Sequence, residues 1–357
     1  MRILFLPNWK VHQLQADTIA YQAPDKQIAS QPYWFFKYFP TNCQVDVIDF
    51  QSNNALTALE KKLNFYIWQA IKAFSKRKKY DVVISHGAQS GMVYALLNTI
   101  TFSKKPLHII IDIGAMNGGR QRLLENSLIA FALKSKPTII CHSRVIIQNY
   151  LHTYKQLVKN ARFIAFGIDA DDFNPQKAVD SSNYILSFGA AKRDYATLIQ
   201  AWAGVESNHK LRIIGLPENN PLTHGIKNVE VIERVSIAEL KSHIANAQFV
   251  VISLPVFNYS YGQMSFLQSM SMGKAVIVTR TPSSIDYLQH GQGALLTKPY
   301  DSDDMREKIS YLINDAAALK VLSDQARPYV LSHFSEQKMA EDMHQFIQQQ
   351  LALNRSS

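Results

Sequence analysis

Residues 184–216 read YILSFGAAKRDYATLIQAWAGVESNHKLRIIGL, and three patterns follow one another in them. An apolar run (184–189) keeps the same character at every position, a helical stretch follows (194–204), and a second apolar run closes the unit (211–216). Strands that do not alternate in polarity, separated by helices, belong to a parallel sheet covered on both faces. Toward the C terminus the alternation continues, with strands expected at 229–233, 249–254, 275–279 and 294–297 and helices at 236–247 and 263–273. Toward the N terminus it recurs as a separate series: RILFLP (2–7), VDVIDF (45–50), DVVISH (81–86), LHIIID (107–112), TIICHS (138–143) and RFIAFG (162–167). Helical patterns at 55–79, 89–100 and 120–134 lie between those runs. Two such series predict an α/β chain of two Rossmann-like domains, with ligands at the carboxyl ends of the strands. The length agrees, because 357 residues exceed one ordinary domain. Gly, Pro, Asp and Ser cluster in 166–183, which reads as a linker. The expected divisions are 1–167, 168–335, and a helix in 336–357 that returns to the first domain.

Composition narrows the function classes. A chain that is 47% hydrophobic and 18% charged is not a disordered one. Two cysteines, Cys43 and Cys141, cannot form a disulfide scaffold, and with no C-x-x-C and no metal-like histidine spacing no metal is expected. The apolar start, MRILFLPNW, is too short for a secretory signal, and no run reaches the roughly 18 apolar residues of a membrane span. A reducing, cytoplasmic setting is the expectation. Charge is unevenly placed: residues 1–167 hold 21 Lys and Arg against 8 Asp and Glu, whereas residues 168–357 hold 17 against 20. The excess predicts an anionic partner for the first half. Nucleic acid is disfavoured, since no nucleic-acid module is visible. An anionic membrane surface fits better: in 55–79 seven basic residues, including Lys76, Arg77, Lys78 and Lys79, interleave with Phe65, Ile67, Trp68 and Ile71. Leu63, Ile67, Ile71 and Phe74 recur at helical spacing and are expected to face the sheet. No P-loop, dinucleotide fingerprint or nucleophile elbow is present.

Three segments in order resemble the family 4 retaining glycosyltransferases of GT-B fold. SFGAAKRDYATLIQAW is similar to that family's glycine turn and following helix. RFIAFGIDADDFNP resembles its interdomain signature at Gly167, Asp169, Phe173 and Pro175. YGQMSFLQSMSMGKAVIVTRTPSSIDYLQHGQGALL resembles its donor-site stretch at Met270, Gly273, Lys274, Val276, Gly291 and Gly293. The resemblance implies a GT-B enzyme whose two domains face a cleft. It would move a sugar from a nucleotide-sugar donor to a hydroxyl of a glycan or lipid-linked glycan, with retention and without metal or other cofactor; the basic first half makes the inner face of the cell membrane the expected place. Alternatives are a nucleotide-binding subunit without activity, and a nucleotide-sugar epimerase.

The resemblance also assigns candidate residues. The donor diphosphate is expected on the N-terminus of the helix opened by Gly262, Gln263 and Met264, where free N–H groups and the helix dipole favour an anion, with Lys192 and Arg193 as cations. Two family glutamates are replaced, by Ser260 near the sugar and by Gln268 at the ribose, where an amide still makes hydrogen bonds. The family arginine of the glycine turn is Ala190. The nucleobase is expected on the backbone at Glu233, Arg234 and Val235; Glu233 alternatively starts the following helix. On the acceptor side Asp112 stands at the family's histidine position, as a base, as an acceptor-orienting group, or as the cap of its own turn. His86 ends the preceding strand and is a second candidate base or a structural group. Gly118, Gly119 and Arg120 form a candidate acceptor loop.

Overall fold

The computed structural model describes residues 1–14, 24–28, 31–50, 56–114, 116, 123–175 and 183–355. The chain divides into two compact units, one of residues 1–165 with 339–357, the other of residues 166–338. In the first unit the described strands are β1 (Arg2–Leu6), β2 (His12–Leu14), β3 (Lys26–Ile28), β4 (Gln44–Val47), β5 (Val82–His86), β6 (Leu107–Asp112), β7 (Thr138–Cys141) and β8 (Arg162–Phe163). Six of them form a parallel sheet in the order β4-β1-β5-β6-β7-β8, and β2 pairs with β3 apart from it. Helices α1 (Thr57–Leu63), α2 (Ile67–Lys76), α3 (Ala88–Ile100), α4 (Leu123–Ala132) and α5 (Arg144–Tyr154) connect the strands. Leu4, Leu6 and Val83 pack on Ala70, Ala73 and Tyr94, so α2 covers this face. Burying each large apolar side chain there contributes roughly 1.5–3 kcal/mol.

The second unit holds β9 (Tyr184–Phe188), β10 (Lys210–Ile214), β11 (Val229–Ile232), β12 (Val250–Ile252), β13 (Val276–Thr279) and β14 (Ala294–Thr297), all parallel, in the order β11-β10-β9-β12-β13-β14. With α6 (Tyr195–Ala203), α7 (Ile237–Asn246), α8 (Gln263–Ser271), α9 (Ser302–Asn314) and α10 (Ala316–His333) this is a doubly wound Rossmann sheet. Ile185, Leu211, Ile213, Val251 and Ile277 meet Leu198, Trp202 and Ile309 in its core. The order reverses between β9 and β12, and in the first unit between β1 and β5. Such switch points open a crevice at the carboxyl ends of the strands. A last helix, α11 (Glu336–Arg355), begins in the second unit, and from residue 339 belongs to the first, where His344 meets the Phe39 ring.

Three local readings need correction. The helix expected over 55–79 is two helices, because Asn64 adopts a left-handed conformation (φ 54°) and caps α1. The buried Glu60 carboxylate then accepts from the Trp68 N–H in the first turn of α2. The stripe expected to face the sheet does so only in part: Phe74 packs on the core, Leu63 and Ile71 are exposed, and Gln69, Ala70 and Ala73 are buried. Small residues let α2 approach the sheet closely, which hydropathy alone does not signal. Finally, the run 162–167 is strand only at Arg162–Phe163, and 166–175 is packed chain rather than loose linker. Arg327 donates to the carbonyls of Ala170, Phe173 and Ser271, and Ile168 bridges Ser335.

The parallel sheet also sorts the charge of the first unit. The turns that precede β5, β6, β7 and β8 lie at its amino edge. They carry Lys76–Lys79 with Arg77 among them, Lys104 and Lys105, Lys134 and Lys136, and Lys155 with Lys159; Arg2 and Arg162 open β1 and β8 there. The acid in those turns is Asp81, which accepts from the Arg2 N–H.

Candidate functional site

At the switch point of the second unit, the turn after β9 faces the N-terminus of α8. Gly189 has φ +127°, and a Cβ there would lie 2.4 Å from Arg193 Nη2. Without a side chain at Gly189, the Arg193 guanidinium lies flat on the turn. Its Nε donates to the Phe188 carbonyl (3.0 Å), Nη1 to the Ala191 carbonyl (3.1 Å), and Nη2 to the Ser265 hydroxyl in the first turn of α8 (2.7 Å). Among the described residues these partners are neutral, so a half-buried cation stands without a carboxylate. Burial lowers its pKa from the ordinary guanidinium value. Gly262 (φ +83°) caps α8 in the left-handed region, and the N–H groups of Gly262, Gln263 and Met264 have no acceptor among the described residues. A guanidinium and three open N–H groups on one side of a helix start make an anion site.

The other donor-side candidates are dispersed. Lys192, in a left-handed conformation, places its Nζ 4.0 Å above the Tyr259 ring and 5.9 Å from the rings of Phe257 and Tyr261, so the ammonium rests on an aromatic surface. Ser260 and Gln268 are buried, Gln268 in the stretch of α8 from Ser265 to Ser271 that is buried throughout. Glu233 and Arg234 are exposed after β11, Val235 is half-buried, and Glu233 accepts from the Glu218 N–H (3.3 Å). Glu233 therefore joins two loops and does not start a helix. The helix-start acid is Glu239, which forms a capping box with Ser236 at α7. Lys274 donates to the carbonyls of Ala245 and Ala247, a cap on the end of α7.

In the first unit the switch point joins Asn8, after β1, to His86, at the end of β5; His86 Nδ1 lies 3.3 Å from Asn8 Oδ1. The His86 ring packs against Trp9 (centroids 4.6 Å apart) and Trp34. Burial, with His142 adding to it, pulls its pKa down to about 3, so the imidazole is neutral. Asp112, one strand farther along, has no exposed surface. Its carboxylate accepts from the Gly114 N–H (3.0 Å) and from the Tyr150 hydroxyl of α5. These are the contacts of the turn-capping alternative. His142 gives its Nδ1 to the Ile164 carbonyl (2.7 Å). Gly118, Gly119 and Arg120 lie outside the described residues. Among the described residues no cluster of three or more His, Cys, Asp or Glu could hold a metal.

Residues 182–315, within the second unit, match the family model for glycosyl transferases group 1. The chain is a glycosyltransferase of GT-B fold. An uncharacterized glycosyltransferase of Methanocaldococcus jannaschii is 25% identical over 272 residues, covering 70% of each chain. Among solved structures, sucrose-phosphate synthase from Thermosynechococcus elongatus superposes with a TM-score of 0.70 at 16% identity, covering 99% of this chain and 100% of that one. HepE of Anabaena in complex with UDP superposes with a TM-score of 0.69 at 15% identity, covering 98% and 100%. HepE has also been solved with UDP-glucose.

Sequence reasoning missed Ser265, which fixes Arg193 to α8, and Asn8 and Trp9, which hold His86. Ser265 stands three places after Gly262, a spacing that puts it in the first turn and was a usable signal. Tyr150 stands 38 residues from Asp112, and no local pattern announces the pair.

Proposed function

We propose that this glycosyltransferase moves a sugar from a nucleotide-sugar donor to a hydroxyl of a glycan or lipid-linked glycan. In this reading the second unit binds the donor and the first unit the acceptor. The observation that carries it is Arg193, a half-buried cation with neutral partners beside the open N–H groups of α8. A nucleotide diphosphate supplies the missing negative charge, and as the sugar departs that charge grows, so the same groups stabilise the transition state more than the ground state. The UDP and UDP-glucose complexes of HepE support a nucleotide sugar as donor. Positive charge at the diphosphate comes from Arg193 and the helix, which is why transfer is read as metal-independent. Gln268 and Ser260 remain the proposed ribose and sugar contacts, with the base on the backbone at 233–235. On the acceptor side His86, neutral at the switch point, is the proposed base or orienting group. Retention and family 4 membership are carried over from the resemblance of the segments within residues 162–296. The basic first unit makes the enzyme peripheral on the cytoplasmic face of the membrane; among the described residues no helix is long and apolar enough to cross one.

The test is turnover of a donor panel (UDP, GDP and ADP sugars) with a lipid-linked and a soluble glycan acceptor, read by nucleotide release and by NMR of the new anomeric centre. The expected result is transfer from one donor class with the anomeric configuration kept, in the presence of a chelator. Tight nucleotide binding with no turnover of any donor would overturn the assignment in favour of a binding subunit.

A further inference from the structure

We infer that the first unit docks on an anionic lipid bilayer by the amino edge of its sheet, the edge opposite Asn8 and His86. This rests on the peripheral-membrane reading above and changes its geometry. The docking surface is not the α1–α2 segment alone but the row of turns that enter β5, β6 and β7. Helices α2, α3 and α4 pack side by side, so their last turns are neighbours. The Thr99 hydroxyl, near the end of α3, donates to the Ala132 carbonyl at the end of α4 (2.9 Å) and ties two of those turns together.

Cations at helix C-termini stabilise the helices themselves, which accounts for Lys76 and Lys134. It does not account for Lys104 and Lys105, placed beyond the end of α3 and exposed, nor for what stands beside them. Phe102 is 91% exposed, Ile100 is 58% exposed, and Phe131 is exposed beneath the Lys134 ammonium, 5.1 Å from its ring centroid. Apolar side chains of that size gain nothing from a hydrated polyanion. At the level of lipid headgroups they leave water while the lysines meet phosphates, each basic residue adding roughly 1 kcal/mol near an anionic leaflet. Acids do not offset this edge: the turns that enter β5, β6 and β7 hold one acid, Asp81, against eight Lys and Arg.

The consequence concerns the acceptor. The 13 residues of α3 run from Gly87, beside the switch point, to the docking edge, a rise of about 20 Å. A sugar held at headgroup level does not reach His86 across that distance. The acceptor that suits this edge is a glycan already extended from its anchor.

The experiment is flotation of the full chain with vesicles of phosphatidylcholine, alone and mixed with phosphatidylglycerol, at low and high salt. Heparin serves as a soluble polyanion without an apolar phase. Binding is expected only with phosphatidylglycerol, weakened by salt. K104E/K105E should lower vesicle partitioning about tenfold or more. Phe102→Ser should lower partitioning while leaving heparin binding unchanged, and K61E/K62E on α1 should leave both close to wild type. Cys43, half-exposed just before β4 at the same edge, takes an environment-sensitive dye whose emission should shift to the blue on vesicles, Cys141 being buried. Unaltered circular dichroism and melting temperature show that each variant is folded. Vesicle binding lost through K61E/K62E, or an unmoved Cys43 dye, would overturn the edge while leaving peripheral binding intact. Equal losses on heparin and vesicles in Phe102→Ser would replace the bilayer by a polyanion. No binding to any vesicle would overturn both docking readings and leave sugar transfer untouched.

Discussion

Arg193 and Lys192 are adjacent cations with different fates, and the difference comes from side-chain chemistry. A guanidinium offers five donors in a flat fork, so Arg193 can donate to four neutral acceptors and still present charge. An ammonium is a point charge on a flexible stem, and Lys192 settles on the Tyr259 ring. Arg193→Ala is expected to weaken nucleotide-diphosphate binding by roughly 1.5–3 kcal/mol, the scale of a hydrogen bond to a charged group. Gly189→Ala should produce a loss in the same direction without touching a charge, because its Cβ occupies the position of the guanidinium and the backbone there is left-handed. Calorimetry with UDP, GDP and ADP measures both. Affinity unchanged in Arg193→Ala would remove the residue from the donor site.

At the level of elements, β6 and α5 are joined by one buried contact set. The Tyr150 hydroxyl donates to the Asp112 carboxylate and accepts from the Met116 N–H (3.1 Å), while Asp112 closes the turn at Gly114. Burial and the neighbouring carboxylate raise the Tyr150 pKa well above its ordinary value, which keeps it a donor. Asp112→Asn therefore acts on folding: a loss of about 1–3 kcal/mol of stability is expected from weakening a charged acceptor in a buried set, with donor affinity unchanged. Tyr150→Phe should destabilise to a similar degree. Chemical denaturation and calorimetry on the two variants check this. A fall in turnover of Asp112→Asn with wild-type stability would return the residue to the acceptor's proton. The β9–α6 unit, by contrast, is spelled out locally, down to Asp194 accepting from the Thr197 N–H (3.2 Å) at the start of α6.

For the whole molecule, three buried histidines of the first unit make stability depend on pH. Burial is the largest cause for each: it lowers His86, with His142 adding to it, and His108 to about 3, and lowers His142 to about 4 against the opposing Ile164 carbonyl. Their folded values lie below the unfolded value of about 6.5, so the unfolded chain binds more protons on the acid side. The stability they contribute is present above pH 6.5 and is lost as pH falls toward 3. The melting temperature of the first unit is expected to decline already between pH 6.5 and 4.5, above the range where ordinary carboxylates titrate. His108→Gln should flatten that decline, since one buried imidazole no longer needs to stay neutral. A melting temperature constant from pH 7 to 4.5 would show that these groups are not buried neutral in solution.

What the sequence determined by itself was whatever local repetition expresses. Apolar runs with helices between them are enough to specify two parallel sheets, because a strand covered on both faces must be apolar at every position. The turn at Gly189 with Arg193 and the helix opened at Gly262 were legible for the same reason: each is a short-range pattern at a strand end. Only the tertiary structure decided between the readings that pattern left open. Order reversal between β1 and β5 sets His86 against Asn8, whereas Asp112, one strand away, is closed off by a tyrosine 38 residues distant. The inward face of α2 turned out to include two alanines and a hydrogen-bonded Gln69, since close approach to a sheet rewards small volume as well as hydropathy. The charge excess, visible as a number along the chain, became an edge once parallel strands brought the separate turns together, because a parallel sheet gathers every strand entrance on one side.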